Sequence, residues 1–197
     1  MKIGAIDFDT EIKLLSGIRK RFSAREITLR VDANGAFLPA EALQKLARLA
    51  ELDIHSIEQP IKAGQWEEMA VLCAETPLPI ALDEELIGVF DAQEKQKLLK
   101  IIKPQYIILK PSLVGGFRGS DTWINLADKQ DIGWWITSAL ESNVGLNAIA
   151  QYTFMKNTSI PQGLGTGSLY TNNVSSPLII TNGHLWYGKP SQWSFQM

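Results

Sequence analysis

Five residues able to bind a cation, move a proton or stabilise charge recur at nearly equal intervals. They are Asp32, Glu58, Asp83, Lys110 and Ser138, separated by 26, 25, 27 and 28 residues. Each closes a short apolar run, in "EITLRVD", "IHSIE", "LPIALD", "QYIILK" and "GWWITS". Taken singly, each acid reads as a solvated loop carboxylate. If the three are brought together, they repel one another unless a cation is present, and an oxygen-only set suits Mg²⁺ or Mn²⁺. No histidine or cysteine occupies any of these ends, which argues against zinc. Lys110, with Pro111 behind it, is costly to bury unless carboxylates compensate it, and so reads as a functional cation. Lys2, just before Ile3 and Gly4, reads either as a solvated terminus or as a second cation facing the first. Two such lysines around a carboxylate substrate have a use: one removes the proton α to the carboxylate, while the other and the metal stabilise the enediolate. Glu84 and Glu85 follow Asp83 directly; alternation lets Glu85 face the same way, but it falls beyond the strand.

The elements needed to position these residues follow from the spacing. Some 26 residues hold one strand, one helix and two loops. The apolar runs alternate with helical stripes such as "AEALQKLARLAEL", "WEEMAVLCAE" and "AQEKQKLLKII". Strands buried on both faces fit a parallel sheet covered by helices. The even, short connections and the lack of glycine-rich phosphate loops favour a (β/α)8-type (TIM-like) barrel over a doubly wound sheet. In such a barrel all strand C-termini open on one face, so residues far apart in sequence converge there. Strand ends are expected at Lys2, the five positions above, and more weakly around 164–167. That makes seven, and a full barrel takes about 250 residues, so the barrel is expected to be incomplete at its N-terminal side.

Composition narrows the remaining possibilities. The 197 residues are 45% hydrophobic and carry 19 Lys+Arg against 21 Asp+Glu, a net charge of -2. That balance supports a real core and gives no reason to expect a nucleic-acid or anionic-membrane partner. The basic cluster "RKRFSAR" reads as the wet end of a helix and its loop. One cysteine, Cys73, excludes an internal disulfide and reads as a small core residue. No apolar run approaches a membrane span and the N-terminus lacks the apolar block of a secretory signal, so a cytoplasmic location is expected.

Asp32 in "DANG", Glu58 in "IEQP", Asp83 in "LDEE" and Lys110 in "LKPSLVGG" resemble the strand-end residues of the enolase superfamily, muconate-lactonising branch. "WWITSALESNVGLNAIAQ" is similar to the seventh-strand region of its o-succinylbenzoate synthases, with Ser138 and Glu141 in a serine-x-x-glutamate run. Lys2 in "KIG" resembles the second lysine of the branch's paired-lysine motif. The resemblance implies Mg²⁺ (or Mn²⁺) on Asp32, Glu58 and Asp83, Lys2 as base, Lys110 as an ammonium over the opposite face, and Ser138 and Glu141 against the substrate. It further implies a small carboxylate substrate, 2-succinyl-6-hydroxy-2,4-cyclohexadiene-1-carboxylate, dehydrated to 2-succinylbenzoate. Residues 1–197 are then expected to be a partial C-terminal barrel, with the N-terminal capping domain and first strand absent. The isolated chain is expected to be inactive and to self-associate through exposed barrel edges. Two alternatives stay open: N-succinylamino acid racemisation by the same enediolate chemistry, and a non-catalytic metal-binding barrel fragment. Dipeptide epimerisation is disfavoured, because "GLGTGSLYTNN" lacks the aspartates that such enzymes carry at the eighth strand.

Overall fold

A computed structural model describes residues 1–165, 169–189 and 193. Five short parallel strands, β1 (Arg30–Asp32), β2 (Ser56–Glu58), β3 (Ile80–Leu82), β4 (Tyr106–Leu109) and β5 (Gly133–Ile136), lie side by side in chain order. Helices α1 (Phe8–Arg21), α2 (Pro39–Ala50), α3 (Trp66–Glu75), α4 (Ala92–Ile102), α5 (Gly116–Asp128) and α6 (Asn143–Met155) alternate with them. Isolated parallel bridges, Lys2 to Asp32 and Thr137 to Gly163, add one position at each edge. The alternating α/β barrel architecture is thus the one expected. The weak strand expected around 164–167 reaches the sheet only through Gly163, and residues 166 and 167 lie outside the described residues.

Local chemistry explains the helix boundaries. Asp7 caps α1 by accepting the Thr10 N–H at 3.0 Å, Pro39 opens α2, and Asp91 caps α4 through Gln93 and Glu94 N–H. The basic cluster at the end of α1 has a structural use: Arg19 donates to the carbonyls of Leu52 and Ile27 at 2.9 and 3.0 Å. Strand β1 is shorter than its apolar run. Residues 23–27 instead form a turn in which the Glu26 carboxylate accepts the Ser23 N–H and hydroxyl, both at 2.8 Å.

Period-two alternation splits the strand side chains into two layers. Val31, Ile57, Ile80, Leu82, Ile107, Leu109 and Ile136 point outward and are buried against the helices, with Leu46, Met69, Leu98 and Trp123. Cys73 belongs to this core, and burial pushes its thiol up to about 12. Ala81, Ile108 and Trp135 form a smaller inward cluster with Tyr106. An antiparallel hairpin, β6 (Leu178–Thr181) and β7 (His184–Tyr187), turns through Asn182 and Gly183, both at positive φ. Among the described residues no helix is long and apolar enough to cross a membrane.

Candidate active site

The strand registers show why distant acids share one face. Asp32 pairs with Glu58, Glu58 with Ala81, Leu82 with Ile107, and Leu109 with Ile136. Paired residues in a parallel ladder face the same side, so Asp83, two beyond Ala81, keeps the facing of Glu58. Lys110, two beyond Ile108, keeps it again. Each gain of two residues is the stagger that a tilted barrel requires.

Both lysines find acids of this row. Lys2 donates to Asp32 Oδ2 and Asn34 Oδ1, each at 2.5 Å. Lys110 donates to Asp83 Oδ2 and lies 3.9 Å from Glu58 Oε1. The two ammonium groups thus hold opposite ends of the line Asp32, Glu58, Asp83. They are not equally fixed: the Lys2 side chain is 71% exposed, that of Lys110 20% and that of Asp83 1%.

The central acid bears the electrostatic load. Burial, followed by the charges of Asp32 and Asp83, pushes the Glu58 carboxyl up to about 8, and Lys110 offsets this only in part. Burial pulls the Lys110 ammonium down, but its hydrogen bond to Asp83 and the charges of Asp83 and Glu58 outweigh that and raise it. Among the described residues no three acids, imidazoles or thiols stand together as a ready cation cage. The donor set nevertheless fits a hard divalent cation: all its donors are oxygens, positive charge is already drawn to both ends, and burial and its acidic neighbours together hold the middle carboxyl back from ionising.

The turn after β1 explains the "DANG" sequence. The Ala36 N–H donates to Ala33 O at 2.9 Å, across Asn34 (φ 45) and Gly35 (φ 74). Two central positive φ values demand residues such as Asn and Gly. A Cβ at Gly35 would also press on the Lys62 backbone at 2.9 Å. Asn34 then links two loops, since its Nδ2 donates to Glu84 Oε1 at 2.8 Å.

Ser138 lies two residues past the end of β5, buried, with its N–H donating to Gly163 O at 3.1 Å. Glu141 accepts from the Ser112 hydroxyl and from the Ala139 N–H, so both its oxygens are engaged within the chain. Glu141 therefore borders the Lys110 loop through Ser112. Sequence reasoning passes over Asn34, Gln59 and Glu85 as site-building residues. For Asn34 the Asn-Gly pair is a usable signal. Gln59 gives none and Glu85 only its place beside Asp83, because their roles depend on contacts between loops.

Acids and lysines at the C-terminal ends of consecutive parallel strands define a (β/α)-barrel domain that carries its chemistry at that face. The chain belongs to the enolase C-terminal domain-like family, whose model matches residues 1–189. It is 60% identical over 185 residues to the o-succinylbenzoate synthase of Desulfotalea psychrophila, covering 94% of this chain and 50% of that protein. The crystal structure of MenC from the same organism superposes with a TM-score of 0.89 at 59% identity, covering 93% of this chain and 51% of that one. An N-succinylamino acid racemase from Amycolatopsis is more distant, 27% identical over 176 residues, covering 89% of this chain and 46% of that protein. The chain spans about half the length of these relatives.

Proposed function

We propose that this chain carries the metal-and-lysine side of an o-succinylbenzoate synthase-type lyase, dehydrating 2-succinyl-6-hydroxy-2,4-cyclohexadiene-1-carboxylate to 2-succinylbenzoate. The observation that carries the reading is the row Asp32, Glu58, Asp83 with an ammonium group at each end. The 60% identity to a synthase, against 27% to a racemase, favours dehydration over racemisation.

Asp32, Glu58 and Asp83 would hold Mg²⁺, with Mn²⁺ as a substitute. When bound, the metal supplies positive charge to the substrate carboxylate as negative charge develops on it. Lys2 takes the proton α to the carboxylate and returns it to the departing hydroxyl on the same face. For this it must act as the free amine and leave its partners Asp32 and Asn34. Lys110 stays an ammonium, as its raised pKa favours, and offsets charge on the opposite face of the ring. Ser138 and Glu141 line the neighbouring loop and contact the substrate's remaining polar groups. Loss of water makes the ring aromatic, so the demanding step is reaching the enediolate.

The reading assigns the isolated 197 residues metal binding without turnover. Lys2 is held to the sheet by one isolated bridge and its side chain is largely exposed. A misplacement of about 1 Å can cost about a hundredfold in rate. A capping domain would exclude water and hold the succinyl tail. The test is a dehydration assay with saturating Mg²⁺ on this chain and on the chain joined to the capping region of a synthase. Turnover by the joined protein alone is expected. Equal rates would contradict the incomplete-site reading, and no turnover by either, with the joined protein folded, would contradict the synthase reading.

A further inference from the structure

Directly after Glu58, Gln59 sits fully buried with its backbone at φ 39. Its side-chain amide makes four hydrogen bonds. Oε1 accepts the N–H groups of Asp83 and Glu85, at 3.2 and 3.4 Å. Nε2 donates to Ile61 O and to Glu85 Oε2, both at 3.1 Å. Two donors and two acceptor sites are all that a primary amide offers, so its capacity is used in full. The partner carboxylate, Glu85, is 5% exposed, and its other oxygen accepts the Gly64 N–H at 2.8 Å. The Gln59 backbone completes the link: its N–H donates to Ala81 O at 2.9 Å, and its carbonyl accepts the Gly35 N–H at 2.7 Å.

One residue thereby touches the loops of all three acids. It follows Glu58, binds the backbone of Asp83, and holds Gly35 in the turn that follows Asp32. Buried polar networks that are fully satisfied make rigid supports, and leaving a member unpaired is costly. Gln59 does not itself join the row, since its side-chain amide is spent on Ile61, Asp83 and Glu85.

We propose that Gln59 and Glu85 are positioning residues for cation binding, a buried strap that fixes the mutual spacing of Asp32, Glu58 and Asp83. The proposal rests on reading those three acids as the cation ligands. A strap of this kind sets how small an ion the acids can close upon, because selectivity between small and large hard cations follows cavity size and rigidity. It therefore favours Mn²⁺ and Mg²⁺ over the larger Ca²⁺.

The pair permits a swap experiment. Gln59→Glu sets two carboxylates against each other. Glu85→Gln leaves one acceptor oxygen where the Gln59 amide and the Gly64 N–H need two. The double variant Gln59→Glu/Glu85→Gln restores one carboxylate facing one amide in the reverse sense and leaves the Ile61 carbonyl without its donor. Mn²⁺ and Ca²⁺ affinities are measured by calorimetry on the 197-residue chain and the three variants, with folding checked by far-UV circular dichroism. Each single variant is expected to lose about 10- to 100-fold in Mn²⁺ affinity, the range found for partners that orient metal ligands. Each is also expected to lower the Mn²⁺ to Ca²⁺ affinity ratio, which general destabilisation would not change. The double variant should recover part of that loss, binding Mn²⁺ more tightly than either single variant. Parent-like affinity and ratio in both single variants would overturn the strap while leaving the cation site intact. Equal losses in the singles and the double would also overturn it. Absence of Mn²⁺ binding by the folded parent would instead overturn the reading of the acids, and the strap with it. Should a single variant be unfolded, Glu85→Asp, which only shortens the carboxylate, takes its place with the same expected losses.

Discussion

The inward side chains of the barrel change character within two residues along the same strands. At the mouth stand Asp32, Glu58, Asp83 and Lys110; two positions lower stand Arg30, Ser56, Ala81 and Ile108. The lower layer solves its charge problem by packing. Its one cation, Arg30, lies 4.1 Å from the ring centre of Trp135 and donates to Pro161 O at 3.1 Å. Trp135 also meets Tyr106, with ring centres 5.5 Å apart, and Tyr106 meets His55 at 5.1 Å. A guanidinium over an aromatic face is a favourable way to bring charge inside. The mouth has no such solution. Three carboxylates share one opening, and only two lysines, one of them largely exposed, balance them. Alternation built both layers. The lower layer settles its cation on an aromatic ring and a carbonyl, leaving the buried Arg30 Nε unpartnered. The mouth keeps three acids against two lysines, the arrangement on which the proposed cation site rests.

This contrast predicts that mouth variants lose chemistry and lower-layer variants lose stability. The largest effect is expected at Lys2. In the chain joined to a capping domain, Lys2→Ala should cut the dehydration rate by about 10²–10⁴, the usual worth of a general base. Its thermal midpoint should stay within the small range of surface substitutions. Steady-state kinetics beside a melting curve checks both, and wild-type-like turnover would remove Lys2 from its role.

Next comes Trp135→Ala, which should cost about 3–5 kcal/mol of stability through the cavity left in the inward cluster. Urea unfolding measures it. Mn²⁺ affinity of the remaining folded fraction should not change; a large loss there would mean that the two layers are not independent.

The smallest effect is a pair of opposite pH dependences in the metal-free chain. The folded-state pKa of Glu58 is raised, so its contribution is present below the ordinary 4.5 and lost as pH climbs to about 8. Glu58→Gln, or saturating Mg²⁺, should flatten that loss. Burial, aided by the Arg30 charge, lowers His55 below its ordinary 6.5. Its contribution is therefore present above 6.5 and lost as pH falls through the lowered value, and His55→Asn should flatten that side alone. Thermal midpoints across this pH range check both signs.

The alternation of strands and helices is readable because parallel strands buried on both faces leave unbroken apolar runs. Helices α3 and α4 occupy the stretches that their stripes mark, Trp66–Glu75 and Ala92–Ile102. The row of acids is readable for the same reason: a charge that ends an apolar run, repeated at one spacing, is the trace left by strands opening on a common face. The support beneath the row leaves no such trace. Gln59 works through a positive φ and contacts with three loops, none of which is periodic in sequence. Glu85 does lie beyond its strand, as its position suggests, yet it is buried and bonded there. Lys95 would pass for a surface residue of α4, but it is buried and donates to Gly119 O at 2.9 Å and Val114 O at 3.5 Å, joining α4 to the first turn of α5 and to the loop after Lys110.

The central claim is that Asp32, Glu58 and Asp83 close on one divalent cation. Its most direct test is a crystal structure of the chain grown with Mn²⁺, with data collected for the metal's anomalous scattering. The account predicts one strong anomalous peak at the mouth, within about 2.0–2.3 Å of an oxygen from each of the three carboxylates, with Lys2 and Lys110 displaced from Asp32 and Asp83. A map with the lysines still paired to those acids and no peak between them would contradict it.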